Sequence, residues 1–327
     1  MNMMMSMMAA QMRVAGGGGL DPNIGITWTT RASAADNNWN SIAWSPELGL
    51  FAAVAVTGTG NRVMTSPDGT TWTSRTSAAD NTWRSVCWSP QRGIFVAVSD
   101  SGASRVMTSS DGITWLGRSA PADGWWDVCW SPNLGIFVAV GYTGSNRVMT
   151  SSDGITWTGR GTPAAENWLA VVWSPELALF VAVAQTGAAN RVMTSPNGTT
   201  WTLRASPATS AWTGVCWSPE QNLFVAVAQA GDDRIMTSQN GITWTVRTPP
   251  TDNSLRTVAW APEAGLFVSV AASGAGNRAM TSPDGINWTI RTSAAGNDWY
   301  SVCWSPALSK FAAVAISGTG NRVMTSL

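Results

Sequence analysis

One tryptophan recurs inside Gly-x-x-Trp-x-x-Arg at Trp28, Trp72, Trp115, Trp157, Trp201, Trp244 and Trp288, at spacings of 44, 43, 42, 44, 43 and 44 residues. Self-similarity at such a period limits the chain to an array of one supersecondary unit. A second series precedes Ser-Pro or Ala-Pro at Trp44, Trp88, Trp130, Trp173, Trp217, Trp260 and Trp304. A third lies five residues ahead of it, at Trp39, Trp83, Trp125, Trp168, Trp212, Leu255 and Trp299. Seven copies of the unit fill the chain after Gly19.

Each copy reads as four short strands. In the copy opening at Trp83 these are "WRSVCWSP", "GIFVAV", "RVMTS" from Arg105 and "ITWLGR" from Ile113. The runs are rich in Val, Ile, Phe, Thr and Trp and are bounded by Gly, Pro, Asn and Asp. No segment carries a helical apolar period. Ser-Pro-Asp-Gly and its variants suit a type I turn closed by a left-handed glycine. Four strands at this period predict a propeller blade, and seven blades close a ring. The expected fold is therefore all-β, one seven-bladed propeller of four-stranded antiparallel blades over residues 20–327, with 1–19 as a separate arm.

The turns "SPDGTTW", "SSDGITW" and "SPDGINW" resemble the Asp-box of bacterial-neuraminidase-repeat propellers, although they are one residue shorter between aspartate and tryptophan. The resemblance covers residues 21–327. It implies the propeller fold and places the turn between the third and outermost strands. The family spans sialidases, lectin-like binders, assembly factors and receptors, so the resemblance carries no single activity.

Residues common to all blades are read as scaffold, since a unique site needs no sevenfold copy. Seven arginines open "RVM" or its variants: Arg62, Arg105, Arg147, Arg191, Arg234, Arg278 and Arg322. Seven more follow the first tryptophan series: Arg31, Arg75, Arg118, Arg160, Arg204, Arg247 and Arg291. A planar guanidinium suits clasping loop carbonyls or stacking on indoles; an anion-binding ring is the alternative. Among the turn aspartates Asp68, Asp111, Asp153 and Asp284, the role is carried equally by Asn197 and Asn240. Asparagine keeps the side-chain bond of a turn and loses the charge, so catalysis or calcium is set aside.

Function is expected where copies differ: in the loops from each outermost strand to the next blade, and between second and third strands. Both emerge on one face of the ring. The departures there are Trp126, Tyr142, Asp232, Asp233, Arg256 and Tyr300. They form no motif, and neutral drift among duplicated copies is the simpler reading of them. The chain has 19 basic and 19 acidic residues and no histidine, which argues against nucleic acid and leaves acid–base catalysis few candidates. Cys87, Cys129, Cys216 and Cys303 share their position with Ala43, Val172 and Ala259, so small buried apolar groups are expected, too far apart for disulfides or metal. No cofactor, no catalytic residue and no metal site is expected, and no apolar run is long enough for a membrane helix.

The reading is a non-catalytic structural or interaction module in a larger assembly such as a virion, fibre or cell-surface complex. A multivalent glycan-binding lectin is the alternative, and a sialidase-like glycosidase a remote one. Partners are expected on the variable-loop face or through the methionine-rich arm "MNMMMSMMAAQMRVAGGGG", which lacks the basic start and long apolar core of a signal peptide. The compartment stays open, with a virion or extracellular setting suspected. The final "NRVMTSL" stops where other copies continue into the turn, and "GITWTTR" from Gly25 supplies an outermost strand with no third strand before it. The expectation is that residues 25–31 complete the seventh blade.

Overall fold

The second strand of each unit is a short, unbroken apolar run, as a strand covered on both faces requires. A computed structural model describes residues 20–326 and arranges them as seven four-stranded antiparallel sheets. Blade 1 comprises β2 (Trp39–Ser45), β3 (Leu50–Ala55), β4 (Val63–Ser66) and β5 (Thr73–Arg75), in that order outward. Strands β6 to β25, from Trp83–Ser89 to Thr289–Arg291, repeat it five times. The first strands of neighbouring blades pack on one another and surround the axis of a seven-bladed β-propeller. No helix occurs among the described residues, and so none that could cross a membrane.

Alternation along β3 separates two kinds of surface. Phe51, Ala53 and Ala55 join Trp39, Met64 and Trp72 and pack on Ala312, Val314 and Val323 of blade 7. Ala52 and Val54 face the other way and receive Trp83 and Phe95 of blade 2. Each interface thus sets a bulky aromatic face against a flat Val/Ala face, which is why the ring consumes tryptophan at a fixed rate. All seven phenylalanines take this place, each between two indoles; Phe51 lies 4.6 Å from Trp44 and 6.2 Å from Trp72. Burying one such ring contributes about 2–3 kcal/mol.

The Asp-box turn is held by its own side chains. The Asp68 carboxylate accepts the N–H groups of Thr70 and Thr71, both at 2.8 Å, and Ser66 Oγ accepts that of Gly69 at 2.8 Å. Asn197 and Asn240 accept the equivalent pairs at 2.8–2.9 Å. These bonds shorten the outermost strand relative to the sequence reading: it spans Leu116–Arg118, whereas a start at Ile113 was expected. The N–H groups of Ile113 and Thr114 are taken by Asp111 and cannot join the ladder.

The first and last described strands meet in one blade. β1 (Trp28–Arg31) pairs with β28 (Val323–Ser326), beside β27 (Lys310–Ala315) and β26 (Trp299–Ser305). The turn bonds are reproduced across the break: Gly25 N–H donates to Ser326 Oγ at 3.1 Å, and Arg31 Nε to Thr325 Oγ1 at 2.9 Å. Residues 1–19 and Leu327 lie outside the described residues.

Both arginine series are bound to the scaffold. Arg62 donates to the carbonyls of Gly58, Val56 and Asn81, tying the two variable loops of one blade together. Arg75 and its six counterparts each donate Nε to the threonine ten positions earlier, or across the closure for Arg31.

All four cysteines are free, as expected of small apolar groups; Cys216 is buried, whereas Cys87, Cys129 and Cys303 are only half-buried against the inter-blade cores. Desolvation raises the Cys129 thiol pKa most, followed by the charges of Asp127 and Cys87.

Candidate binding site

Every first strand carries a β-bulge at one position. In blade 1, Trp39 pairs with Ala55 and Ser41 with Val54, leaving Asn40 as the extra residue. The same step isolates Arg84, Trp126, Leu169, Thr213, Arg256 and Tyr300. A bulge re-aims its side chain, and here all seven line a cavity of about 170 Å³ at the variable-loop mouth of the channel. The tryptophan before the bulge is structural, and the residue after it is small or short. The bulged residue lies outside the aromatic packing between blades, and it takes six different identities in seven copies.

A second ring stands just outside the first, at the residue following each second-strand partner of the third tryptophan series. It holds Val56, Asp100, Tyr142, Gln185, Gln229, Ala272 and Ile316. The two rings interlock. Arg84 donates Nε to Asp100 Oδ2 at 2.8 Å, with Nη2 at 2.7 Å from the same oxygen. The Arg84 guanidinium also covers Trp126, 4.3 Å from its ring centre. Tyr142 meets Trp126 edge-on at 5.3 Å and donates its hydroxyl to Asp100 at 3.2 Å. Burial and the Asp100 charge push the Tyr142 phenol pKa up. On the far side, Arg256 lies 4.4 Å over the Tyr300 ring and donates Nη1 to Gln229 Oε1.

Below the mouth, Asp127 is the one acidic member of the next ring, where other blades place Ser41, Ser85, Ala170, Gly214, Thr257 and Ser301. Its carboxylate accepts the Ser85 hydroxyl at 2.6 Å and the Val171 N–H at 2.9 Å, stitching three blades. Desolvation nevertheless raises its pKa.

Of the six residues singled out in the sequence, Trp126, Tyr142, Arg256 and Tyr300 therefore gather at the channel mouth. Asp232 and Asp233 do not. They border a separate shallow concavity with Pro207, Ala208 and Ser210 at the blade 5 loops. Arg84, Asp100, Asn40, Gln185 and Gln229 were missed, although the residue after each third-series tryptophan visibly changes from copy to copy. Tyr142 also has a carboxylate beside it, where the sequence offered no such context. Among the described residues no cluster of three or more metal-ligating side chains forms.

No family model matches the chain, and no curated protein matches it by sequence. Solved structures do match in shape. One is a streptogramin B lyase, 9% identical with TM-score 0.77, over 92% of this chain and 97% of that one. YCF48 bound to D1 peptide is 15% identical with TM-score 0.67, over 94% and 96% of the two chains. A chain of the mitotic checkpoint complex is 14% identical with TM-score 0.69, over 95% and 94%. At these identities the likeness is one of fold: the chain is similar to seven-bladed propellers with widely different roles.

Proposed function

We propose that this chain is a non-catalytic interaction module of the Asp-box type, a subunit or decoration of a larger assembly such as a virion, fibre or cell-surface complex. Its binding surface is the variable-loop face around the channel mouth. The observation that carries this reading is where the copies differ. Side chains that pack between blades repeat sevenfold, whereas the two mouth rings and the loops above them diverge, as expected of a binding surface on a rigid scaffold. Protein partners are in keeping with this, since YCF48 is seen with a peptide and another neighbour sits in a multiprotein complex. The arm over residues 1–19 is a second route to a partner.

The lectin alternative is less well supported. One face of Trp126 is covered by Arg84 and its edge by Tyr142, and one face of Tyr300 is covered by Arg256. Little open aromatic surface is left for a sugar. The glycosidase alternative gains the Tyr142–Asp100 pair, but a raised phenol pKa opposes nucleophilic attack, and the arginines of the scaffold series are spent on carbonyls and threonines.

A photo-crosslinking residue at Thr59, exposed on the loop face, is compared with one at Leu48, exposed in the turn at the opposite end of the same blade. In the native assembly, adducts should form from position 59 and not from 48. Adducts from 48 alone would place the partner on the wrong face.

A further inference from the structure

Two arginines occupy bulge positions, and only one has a counter-ion. Arg84 is paired with Asp100, the outer-ring residue of its own blade. At that position the blade of Arg256 has Ala272. Asp298, whose charge also acts on Arg256, is committed to Arg278 at 2.6 Å. The polar contact of Arg256 is the neutral oxygen of Gln229, and its Nε is buried without a partner. A largely desolvated guanidinium lacking an anion is costly, and supplying one repays it. With Nη1 held by Gln229, the Nε edge is the one left unpartnered, and such an edge matches a carboxylate bidentately.

The same cavity contains a second unmet group of opposite character. Asn40 is 8% exposed, and its Nδ2 donates to the Arg84 carbonyl at 2.6 Å, but its Oδ1 is buried with no donor. One cavity thus holds a donor edge that calls for an anion and an acceptor that calls for N–H or O–H. Its 170 Å³ corresponds to about six water volumes, the scale of a small organic acid.

We infer that the channel mouth binds a small carboxylate that also carries a hydrogen-bond donor, with Arg256 anchoring the carboxylate and Asn40 Oδ1 accepting from the donor. A free hydroxy- or amino-acid has this chemistry, and so does the C-terminal residue of a peptide through its amide N–H. The site goes beyond the protein-partner reading. Crosslinks at position 59 report the face and a titration reports the channel, so either can fail alone.

The full chain is titrated calorimetrically with lactate, alanine, N-acetyl-alanyl-alanine and the uncharged lactamide. Lactate or alanine is expected to bind in the millimolar range or tighter if the source is a free acid, and the acetylated dipeptide if it is a peptide end. Lactamide should be weaker by roughly tenfold or more, as the loss of a charge-assisted bond implies. Arg256→Gln should abolish binding, while Arg92→Gln, exposed in the turn at the opposite end of blade 2, should keep it. Because Arg256→Gln can fail to fold, Ala272→Asp is the second variant: it gives Arg256 the counter-ion that Asp100 gives Arg84, and should raise the melting temperature while abolishing carboxylate binding. No binding by any of the three acids, equal binding of lactamide, or undiminished binding by Ala272→Asp would each overturn the inference.

Discussion

Replacing Ala307 with glutamate should stabilise the ring, because it completes a seam that lacks its side-chain bond. At six seams an indole of the second tryptophan series donates to the Ser-Pro turn of the preceding blade. Trp88 reaches Glu47 at 2.6 Å, Trp130 Gln91 at 2.6 Å and Trp173 Asn133 at 3.1 Å. Trp217, Trp260 and Trp304 reach Glu176, Glu220 and Glu263, each at 2.7 Å. At the seam between blades 7 and 1 the acceptor position is Ala307, and Trp44 Nε1 is buried with no partner. A bond to a charged group contributes about 1.5–3 kcal/mol net. Position 307 is exposed, so solvent screening and the entropy of holding the glutamate reduce this to about 1 kcal/mol. The melting temperature should rise by about 1–2 °C. Scanning calorimetry at low and high salt measures it, with the gain shrinking in salt. Glu263→Ala should show a loss of similar size at its own seam. In a Trp44→Phe background, where no indole N–H remains, Ala307→Glu should do nothing. A gain that survives Trp44→Phe, or no gain although Glu263→Ala is costly, would refute the reasoning.

The Asp-box turns should make stability acid-sensitive. Burial pushes the Asp284 carboxyl up, but bonds from Asn287, Ile286 and Ser282 outweigh it and hold the pKa at about 2; Asp68, Asp111 and Asp153 are also lowered. A folded pKa below the unfolded value of about 3.9 stabilises the fold above that pH, and the contribution is lost as pH falls towards about 2. Changing all four to asparagine, as at Asn197 and Asn240, should flatten the melting temperature between those limits; an unchanged slope would show that the turns are not responsible. Deleting residues 26–31 or 322–327 should lower the melting temperature by at least about 5 °C, since blade 7 loses a strand and either buried Trp28 or its pairing partner. An undisturbed melt would mean that the ring does not depend on the closure.

The fold was legible because the residues that build it touch equivalent residues in the next blade. The position of Trp72 against Phe51, or of Arg75 against Thr65, is imposed seven times over, and a period in the low forties exposes it. The channel mouth was legible only in part. Trp126 and Tyr142 stood out as unusual residue types, and their contact could not be read because the bulge that turns Trp126 inward is a register shift with no composition of its own. Arg84 looked like any residue of a first strand until the bulge placed it against Asp100. Asp232 and Asp233 stood out equally and lie elsewhere, so departure from the repeat is necessary for belonging to the mouth and not sufficient.

What separates the mouth from undirected divergence is that its changes come in matched pairs. A bulged side chain points into the channel and meets no constraint from the adjoining aromatic face, so any residue of suitable size is tolerated there. Divergence without selection would scatter charges independently of the outer ring. Instead Arg84 faces Asp100 within its blade, Trp126 faces Tyr142 within the next, and Arg256 meets Gln229 from the blade before it. Each pair draws one member from each ring, and the two members lie 16 residues apart in two cases and 27 in the third. In two of the pairs a buried polar group finds a partner that a random substitution would not provide. The Arg256 pair is the incomplete one, with a neutral oxygen where Arg84 has a carboxylate. That is why the chemistry of the mouth converges on a missing anion rather than on any of its more conspicuous aromatic residues.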